Sequence, residues 1–208
     1  MKVLTSWPVP VFLLIIFAAL ISTSDASPAG IGAAGFGLLL VLLVWGMFRE
    51  FSVHAELSRA LAVGDGATAL RLAEREIQRR GPRRRGPFVV YRGMAQELAG
   101  EWSKVLDGLA DARPETLRGT GGGTSWQLVA DCLRVAAWCE LGQAAKARAL
   151  FEEAVAPRAS AAGGTSGIFS QLTEGRLRFA EGALASAKER LTPLAPEWPA
   201  AASGRWAR

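Results

Sequence analysis

The side chains that usually catalyse reactions or bind metals are scarce in this chain. It has 208 residues but only one histidine, His54, and two cysteines, Cys132 and Cys139. A structural zinc site needs four Cys or His ligands, and a nucleophilic triad needs a histidine between a nucleophile and an acid. The cysteines lie on one predicted helix, roughly 10 Å apart along its axis, which is too far for a disulfide. We therefore expect a protein that is not an enzyme, with no metal, no cofactor and two cysteines that pack as small apolar side chains.

The first 48 residues are apolar almost throughout, and two uncharged runs within them are long enough to form membrane-spanning helices. As helices, residues 7–22 would be about 24 Å long and residues 29–48 about 30 Å long, against a hydrocarbon core of about 30 Å. A polar segment that contains Asp25 separates the two runs. The pattern predicts a transmembrane hairpin over residues 1–48. A cleaved signal peptide over residues 1–26, followed by a single span, is the alternative.

The charges beside the two runs predict on which side of the membrane the rest of the chain lies. Lys2 and Arg49 flank the hairpin, while the loop inside it carries only Asp25. Positively charged flanks stay on the cytoplasmic side, so both ends of the hairpin are expected there, together with residues 49–208. The signal-peptide alternative places residues 49–208 on the same side.

Small residues recur every four positions on both predicted spans. Such a face lets two helices approach closely in lipid. We expect it to close the hairpin; an intermolecular face, or no specific role, are the alternatives. The residues are Ala18, Ser22, Ala29, Ala33 and Gly37.

Residues 50–196 repeat one pattern four times. Each copy has a helical run, a glycine that can take the left-handed conformation at a helix end, and a second helical run. Each pair of helices has an apolar face too small to bury alone, so stacking neighbouring pairs would build one continuous core. Glycine-rich linkers over residues 118–125 and 158–167 account for the long spacing, and the first lacks the lysine of a phosphate-binding loop. The turn glycines are Gly64, Gly100, Gly142 and Gly182.

The four copies resemble the tetratricopeptide repeat (TPR) family. The family's small residue in the first helix, seven before the turn glycine, falls on Gly93 and Gly175, whereas Leu57 and Val135 depart from the pattern. Its alanine in the second helix falls on Ala69, Ala147 and Ala187. The resemblance implies an all-α fold: a TPR-like α-solenoid of about four helix pairs over residues 49–196, behind the N-terminal transmembrane hairpin. A flexible tail is expected over residues 197–208.

The resemblance also implies a binding surface. The concave face of such an array is built mainly from the first helix of each pair. A face with methionine and mixed charges suits an extended peptide or a helix from a protein partner. In this chain the implied partner-binding residues are His54, Ser58, Met94, Glu97, Arg176 and Phe179.

The most concentrated charge lies in RRGPRRR, residues 79–85. If the first two helices of the soluble region run away from the bilayer and back, this turn lies near anionic headgroups, where each basic residue adds about 1 kcal/mol of attraction. A solvated loop that only sets topology, and an acidic protein partner, are the alternatives. Nucleic acid is not expected, because the rest of the chain is nearly neutral and shows no recognition fold. The predicted lipid contacts are Arg79, Arg80, Arg83, Arg84 and Arg85.

Together these features suggest a non-catalytic, membrane-anchored scaffold or adaptor in a bacterial-type inner membrane. Its helical array would hold a partner protein at the cytoplasmic face. The layout looks like that of some bacterial envelope-assembly and complex-assembly factors, although a layout alone does not assign a function. The alternative is an accessory or assembly subunit of a larger membrane complex, bound mainly through its transmembrane hairpin.

Overall fold

The computed structural model describes most of the chain after the first apolar run. It covers residues 28–82, 84–110, 112, 117, 125–159 and 164–197. The predicted first span with Ala18 and Ser22, the signal-peptide alternative, Arg83, most of the linker 118–125 and the tail from residue 198 lie outside the described residues. Within the described ranges every regular element is helical and none is a strand, so the all-α prediction is confirmed.

Eight α-helices follow one another in the part of the chain that the structure describes. They are α1 Pro28–Ala62, α2 Gly66–Arg79, α3 Gly86–Ala99, α4 Trp102–Ala110, α5 Trp126–Glu140, α6, α7 Gly164–Ala180 and α8 Leu184–Leu191. Helix α6 consists of Ala144–Leu150 and Ala156–Ala159, joined by the π-helical turn Phe151–Val155. A 3-10 helix, Thr192–Glu197, follows α8. We call α1, α3, α5 and α7 the first helices, and α2, α4, α6 and α8 the second helices.

The chain divides into two compact units, Met1–Ala55 and Glu56–Arg208. The expected boundary at residue 48 falls inside α1, which continues without interruption to Ala62. The composition explains this continuity, because no glycine or proline occurs between Gly46 and Val63, and these are the residues that most readily end a helix.

In the first unit, α1 is apolar on all sides. None of its residues between 35 and 55 is buried, and Phe36, Phe48 and Phe51 are 65, 68 and 79% exposed. Among the described residues, Gly35–Ala62 is long and apolar enough to cross a membrane by length and composition, a test that a signal sequence near an N-terminus also passes. A helix that is hydrophobic all round is stable only when an apolar environment surrounds it.

In the second unit, the four turns between first and second helices have the same geometry. The turn glycines have positive φ angles: Gly64 77°, Gly100 74°, Gly142 72° and Gly182 80°. After each glycine, the next amide donates to the carbonyl five residues earlier, at 2.8 to 2.9 Å. This is the hydrogen bond of a helix that ends in a left-handed glycine, so the prediction for these four glycines is confirmed.

Neighbouring pairs pack through α2 and α3, and then through the first helices α3, α5 and α7. Helix α3 contacts α2, α4 and α5, while α5 contacts α6 and α7, and α7 contacts α8. One buried cluster, with Val90, Leu109 and Leu133, lies between α3, α4 and α5. A second, with Leu128 and Phe151, lies between α5, α6 and α7. Successive pairs therefore share core side chains instead of forming separate cores.

The small residues that match the repeat-family pattern lie at contacts between helices. Ala69, Ala147 and Ala187 in the second helices are buried. A Cβ atom on Gly93 would lie 3.3 Å from Cδ1 of Leu133, and one on Gly175 would lie 2.6 Å from Cγ of Leu191. The α7–α8 contact is thus the closer of the two, and only glycine fits there without movement.

Candidate functional site

The predicted partner-binding residues share positions along the first helices. Ser58, Met94 and Arg176 lie six residues before their turn glycines, and Glu97 and Phe179 lie three before theirs. In α5 the same positions hold Ala136 and Cys139, which the sequence analysis did not select. Counting six and three residues back from Gly142 in the sequence would have identified both residues.

The structure brings Glu97 and Arg176 together. The Arg176 guanidinium donates a hydrogen bond to Glu97 Oε1, so that an ion pair joins α3 to α7 across 79 residues of sequence. The side chains of Arg176 and Glu97 are only 12 and 16% exposed. A charge pair that is nearly desolvated is held tightly, because removing one partner leaves the other charge buried and uncompensated.

Helix α5 lies beneath this ion pair and forms the floor of a small cleft. The volume of the cleft is about 20 Å³, which is enough for one water molecule. The lining is apolar apart from the ion pair, the Cys132 thiol and the Thr173 hydroxyl. The lining residues are Glu97, Cys132, Leu133, Ala136, Phe169, Leu172, Thr173 and Arg176. The cleft is too small for a substrate, so what the arrangement offers is a surface with one charge of each sign.

The two thiols beside the cleft are not activated. Burial raises the pKa of Cys132 to about 12, against the opposing effect of its hydrogen bond to Thr173. Burial also raises the pKa of Cys139 to about 11. Both thiols therefore stay protonated at neutral pH, whereas nucleophilic and metal-binding cysteines are thiolates.

Ser58 lies at a second contact between first helices. Its hydroxyl shares a hydrogen bond of 3.2 Å with the Tyr91 hydroxyl, and the Tyr91 ring lies 5.1 Å from that of Trp126 at 58°. Burial raises the pKa of Tyr91. Side chains of α1, α3 and α5 are thereby linked in a row. The sequence analysis missed Tyr91 and Trp126, although Tyr91 is the chain's one tyrosine.

The other three predicted partner-binding residues differ in how far they are buried. Met94 is half-buried and packs against the core between α3, α4 and α5. Phe179 is 54% exposed near the α7–α8 turn. His54 is half-buried in the first unit. Of the six residues, Glu97 and Arg176 are the two that form an ion pair with each other.

A second buried carboxylate holds two helices together away from the cleft. Asp131 accepts hydrogen bonds of 2.7 Å from both Arg134 and Arg158, and one of 3.2 Å from Gln127. Arg134 also donates to the Leu109 carbonyl at 2.6 Å. These contacts connect α5 with the ends of α4 and α6. No pattern in the sequence distinguishes Asp131 from a solvated acidic residue.

The arginines of the α2–α3 turn fall into two groups. The Arg80 side chain is only 15% exposed, and its Nε donates to Glu76 Oε2 at 3.0 Å. Arg84 is exposed, Arg85 is half-buried and the Arg79 side chain is 49% exposed. The same lipid contact was predicted for all of these arginines, because no neighbouring residue in the sequence indicates that the Arg80 side chain folds inward.

The other predicted sites lie as follows. Ala29, Ala33 and Gly37 all lie on α1, and no described residue outside α1 lies within 4 Å of the point where a Cβ atom on Gly37 would be. Among the described residues, no group of three or more His, Cys, Asp or Glu side chains could hold a metal ion.

No protein-family model, curated protein or solved structure matches this chain.

Proposed function

We propose that this protein is a non-catalytic scaffold, anchored in a membrane by its N-terminal region, whose helical array binds a partner protein. The observation that carries the proposal is the exposed apolar surface of α1. Large side chains such as Phe36, Phe48 and Phe51 contact solvent on a helix that is apolar all round. Burying such side chains is worth about 1.5 to 3 kcal/mol each, and a lipid bilayer supplies that environment for the part of the helix that spans it.

The length of α1 fits a membrane span with a cytoplasmic extension. Its 35 residues extend over about 52 Å, while the hydrocarbon core takes about 30 Å. At the end of the apolar stretch, the Arg49 guanidinium lies 5.8 Å from the centre of the Trp45 ring. Tryptophan and arginine are both favoured at the headgroup level, and arginine marks the cytoplasmic side. We infer an inner-membrane protein in which residues 7–22 form the other half of a hairpin.

Three features support a TPR-like array in the second unit. The four turns have one hydrogen-bonding geometry, Ala69, Ala147 and Ala187 are buried, and the first helices α3, α5 and α7 pack in succession. Arrays of this kind expose one face of their first helices along the whole stack. That face would be the partner-binding surface.

The Glu97–Arg176 pair lies on the proposed binding face, and we infer that a partner segment recognises it. The pair is nearly buried and presents one charge of each sign beside the apolar side chains of the cleft. A partner helix or extended segment with apolar residues and complementary charges would fit this surface. Charge complementarity sets the register and specificity of such contacts more than their affinity.

An exchange of the two charges separates recognition from structural support. In the double variant Glu97→Arg/Arg176→Glu the ion pair is kept but its direction is reversed. We expect thermal stability close to that of the unchanged protein, but a loss of partner capture in crosslinked pull-downs from native membranes. The matched control is Arg148→Glu/Glu181→Arg, which reverses a pair that joins α6 to the α7–α8 turn. Capture that survives the first exchange as well as the second would refute this binding surface.

The alternative function, an accessory subunit held through its membrane helices, is favoured by one observation. No described residue outside α1 lies within 4 Å of a Cβ atom placed on Gly37, which leaves room among the described residues for a close approach by another helix. Replacing residues 35–48 by an unrelated apolar span of equal length distinguishes the two functions in the full-length protein. Capture should persist if the array binds the partner, and should be lost if the native span does.

A further inference from the structure

The turn between α2 and α3 is a strongly basic segment that faces solvent. From residue 77 to residue 96 the chain has six arginines and no acidic residue. The nearest carboxylate before it is Glu76, the last acidic residue of α2, which is buried. The turn thus concentrates positive charge that the one carboxylate of Glu76 cannot balance.

Glu76 forms a close ion pair with one of these arginines, Arg80. The Arg80 Nε–Glu76 Oε2 distance is 3.0 Å, and the Arg80 guanidinium also lies 4.3 Å from the centre of the Phe88 ring. Arg80 therefore links the end of α2 to the first turns of α3 through an ion pair and a cation–π contact. This contact fixes the turn and withdraws one of its charges from solvent.

The remaining described arginines of the turn are presented outward. Arg79 is 3.9 Å from Glu76 and its side chain is about half exposed. In the part of the turn that the structure describes, Arg84 is exposed and Arg85 half-buried, and neither makes an ion pair. Three guanidinium groups on a short turn form a cluster that binds phosphate groups well, since each presents several donors in a planar fork.

We propose that Arg79, Arg84 and Arg85 form a docking surface for anionic phospholipid headgroups. The partner is a lipid surface and not an acidic protein, because each of these guanidinium groups can bind a separate phosphate and the proposed membrane attachment supplies anionic headgroups. Mobile phosphates in a bilayer adapt to such a cluster, and anionic lipids attract basic residues additively. This inference rests on the membrane attachment proposed above, which raises the effective concentration of headgroups for every part of the tethered chain.

Lipid binding to the full-length protein in a non-ionic detergent tests the proposal. Phosphatidylglycerol is titrated and bound lipids are counted by native mass spectrometry, with phosphatidylcholine as the uncharged comparison. The variant Arg79→Gln/Arg84→Gln/Arg85→Gln should bind phosphatidylglycerol about 100-fold more weakly, at about 5-fold for each arginine. Phosphatidylcholine binding should not change.

The matched control changes the net charge equally at other exposed positions. It is Arg75→Gln/Lys146→Gln/Lys188→Gln, and we expect it to bind phosphatidylglycerol within about 2-fold of the unchanged protein. Equal losses in both triple variants would show a general charge effect and overturn the docking surface. Arg80→Gln should also keep its phosphatidylglycerol affinity within about 2-fold of the unchanged protein, because the Arg80 charge is paired with Glu76. A loss of affinity as large as that of Arg84→Gln would overturn the distinction between the ion-paired Arg80 and the other arginines of the turn.

Two further outcomes separate this inference from the proposals around it. Unchanged phosphatidylglycerol affinity in the triple variant, together with loss of binding to an acidic peptide such as polyglutamate, would assign the turn to a protein partner. Recovery of the full-length protein without detergent would refute the membrane attachment. If the protein needs detergent but the triple variant binds phosphatidylglycerol normally, the docking surface alone is refuted.

Discussion

Replacing Gly175 by alanine tests how closely α7 and α8 pack. The added Cβ atom would lie 2.5 Å from Cδ2 and 2.6 Å from Cγ of Leu191. Real Cβ atoms essentially never come this close to another atom. Because Cγ is the branch point of the leucine, a rotation of its methyl groups cannot relieve the contact. Either the Leu191 side chain leaves its position or the two helices move apart.

Two opposing effects set the size of the change. Forcing an extra methyl group into a packed contact costs about 1 to 3 kcal/mol, while exchanging glycine for alanine inside a helix stabilises by about 1 kcal/mol. We therefore expect Gly175→Ala to lower the free energy of unfolding by up to about 2 kcal/mol. The melting temperature of a protein of this size should fall by up to roughly 8 °C.

Gly93→Ala is the matched control, since it makes the same substitution at the corresponding position of α3. Its nearest neighbour would be Cδ1 of Leu133 at 3.3 Å, the end of a side chain that can give way. The small strain and the gain in helix propensity should nearly cancel, leaving stability within about 0.5 kcal/mol. Thermal unfolding of the full-length variants, followed by circular dichroism in detergent, measures both.

A double-mutant cycle identifies the cause. If the clash with Leu191 destabilises Gly175→Ala, adding Leu191→Ala should remove that cost, and the two changes should be non-additive by about 1 kcal/mol or more. A Gly175→Ala protein at least as stable as the unchanged protein would refute the close packing of α7 on α8. Strict additivity with Leu191→Ala would refute the assignment of the clash to that side chain.

Further predictions concern a turn, a buried carboxylate and the two thiols. Gly182→Ala should destabilise the protein by about 1 to 2 kcal/mol in thermal unfolding, because φ there is 80° and a side chain makes the left-handed conformation costly; no change would refute the turn geometry. Asp131→Asn should lower the free energy of unfolding by about 2 to 3 kcal/mol in the same measurement. The control Glu152→Gln, at an exposed side chain, should lower it by less than about 0.5 kcal/mol. Equal effects of the two substitutions would contradict the buried ion pair. Ellman's reagent at pH 8 should react slowly with Cys132 and Cys139 in the folded protein, since their raised pKa values leave little thiolate. Their reactivity should increase with pH and on unfolding in guanidinium, and rapid reaction of the folded protein would contradict their burial.

The parts of the fold that could be predicted from the sequence depend on local chemistry. Gly64 and Gly182 were predicted as turn residues because left-handed backbone favours glycine wherever it occurs, and both have positive φ. The helical character of residues 50–196 followed from the repeated pattern. The boundary predicted at residue 48 lies inside α1, because the change from apolar to charged residues at Arg49 resembles a boundary although the backbone continues as helix.

The contacts of the candidate site depend on packing between distant segments. Glu97 and Arg176 were both selected, but their pairing across 79 residues depends on how α3, α5 and α7 stack. Periodicity within one helix carries no information about that arrangement. In the same way, the inward position of Arg80 depends on the Phe88 ring, which the α2–α3 turn brings under it. Side-chain types indicated which groups carry charge, and only the three-dimensional arrangement indicated which of them face solvent.

Protease treatment of sealed cells tests the membrane-anchored account most directly. The full-length protein carries an epitope tag after Arg208 and is probed after proteinase K has been added outside the cells, with and without prior lysis. The account predicts that the protein stays in the membrane fraction at alkaline pH and that the tag resists protease until the cells are opened. Digestion of the tag in sealed cells, or release of the whole protein by alkaline washing, would contradict it.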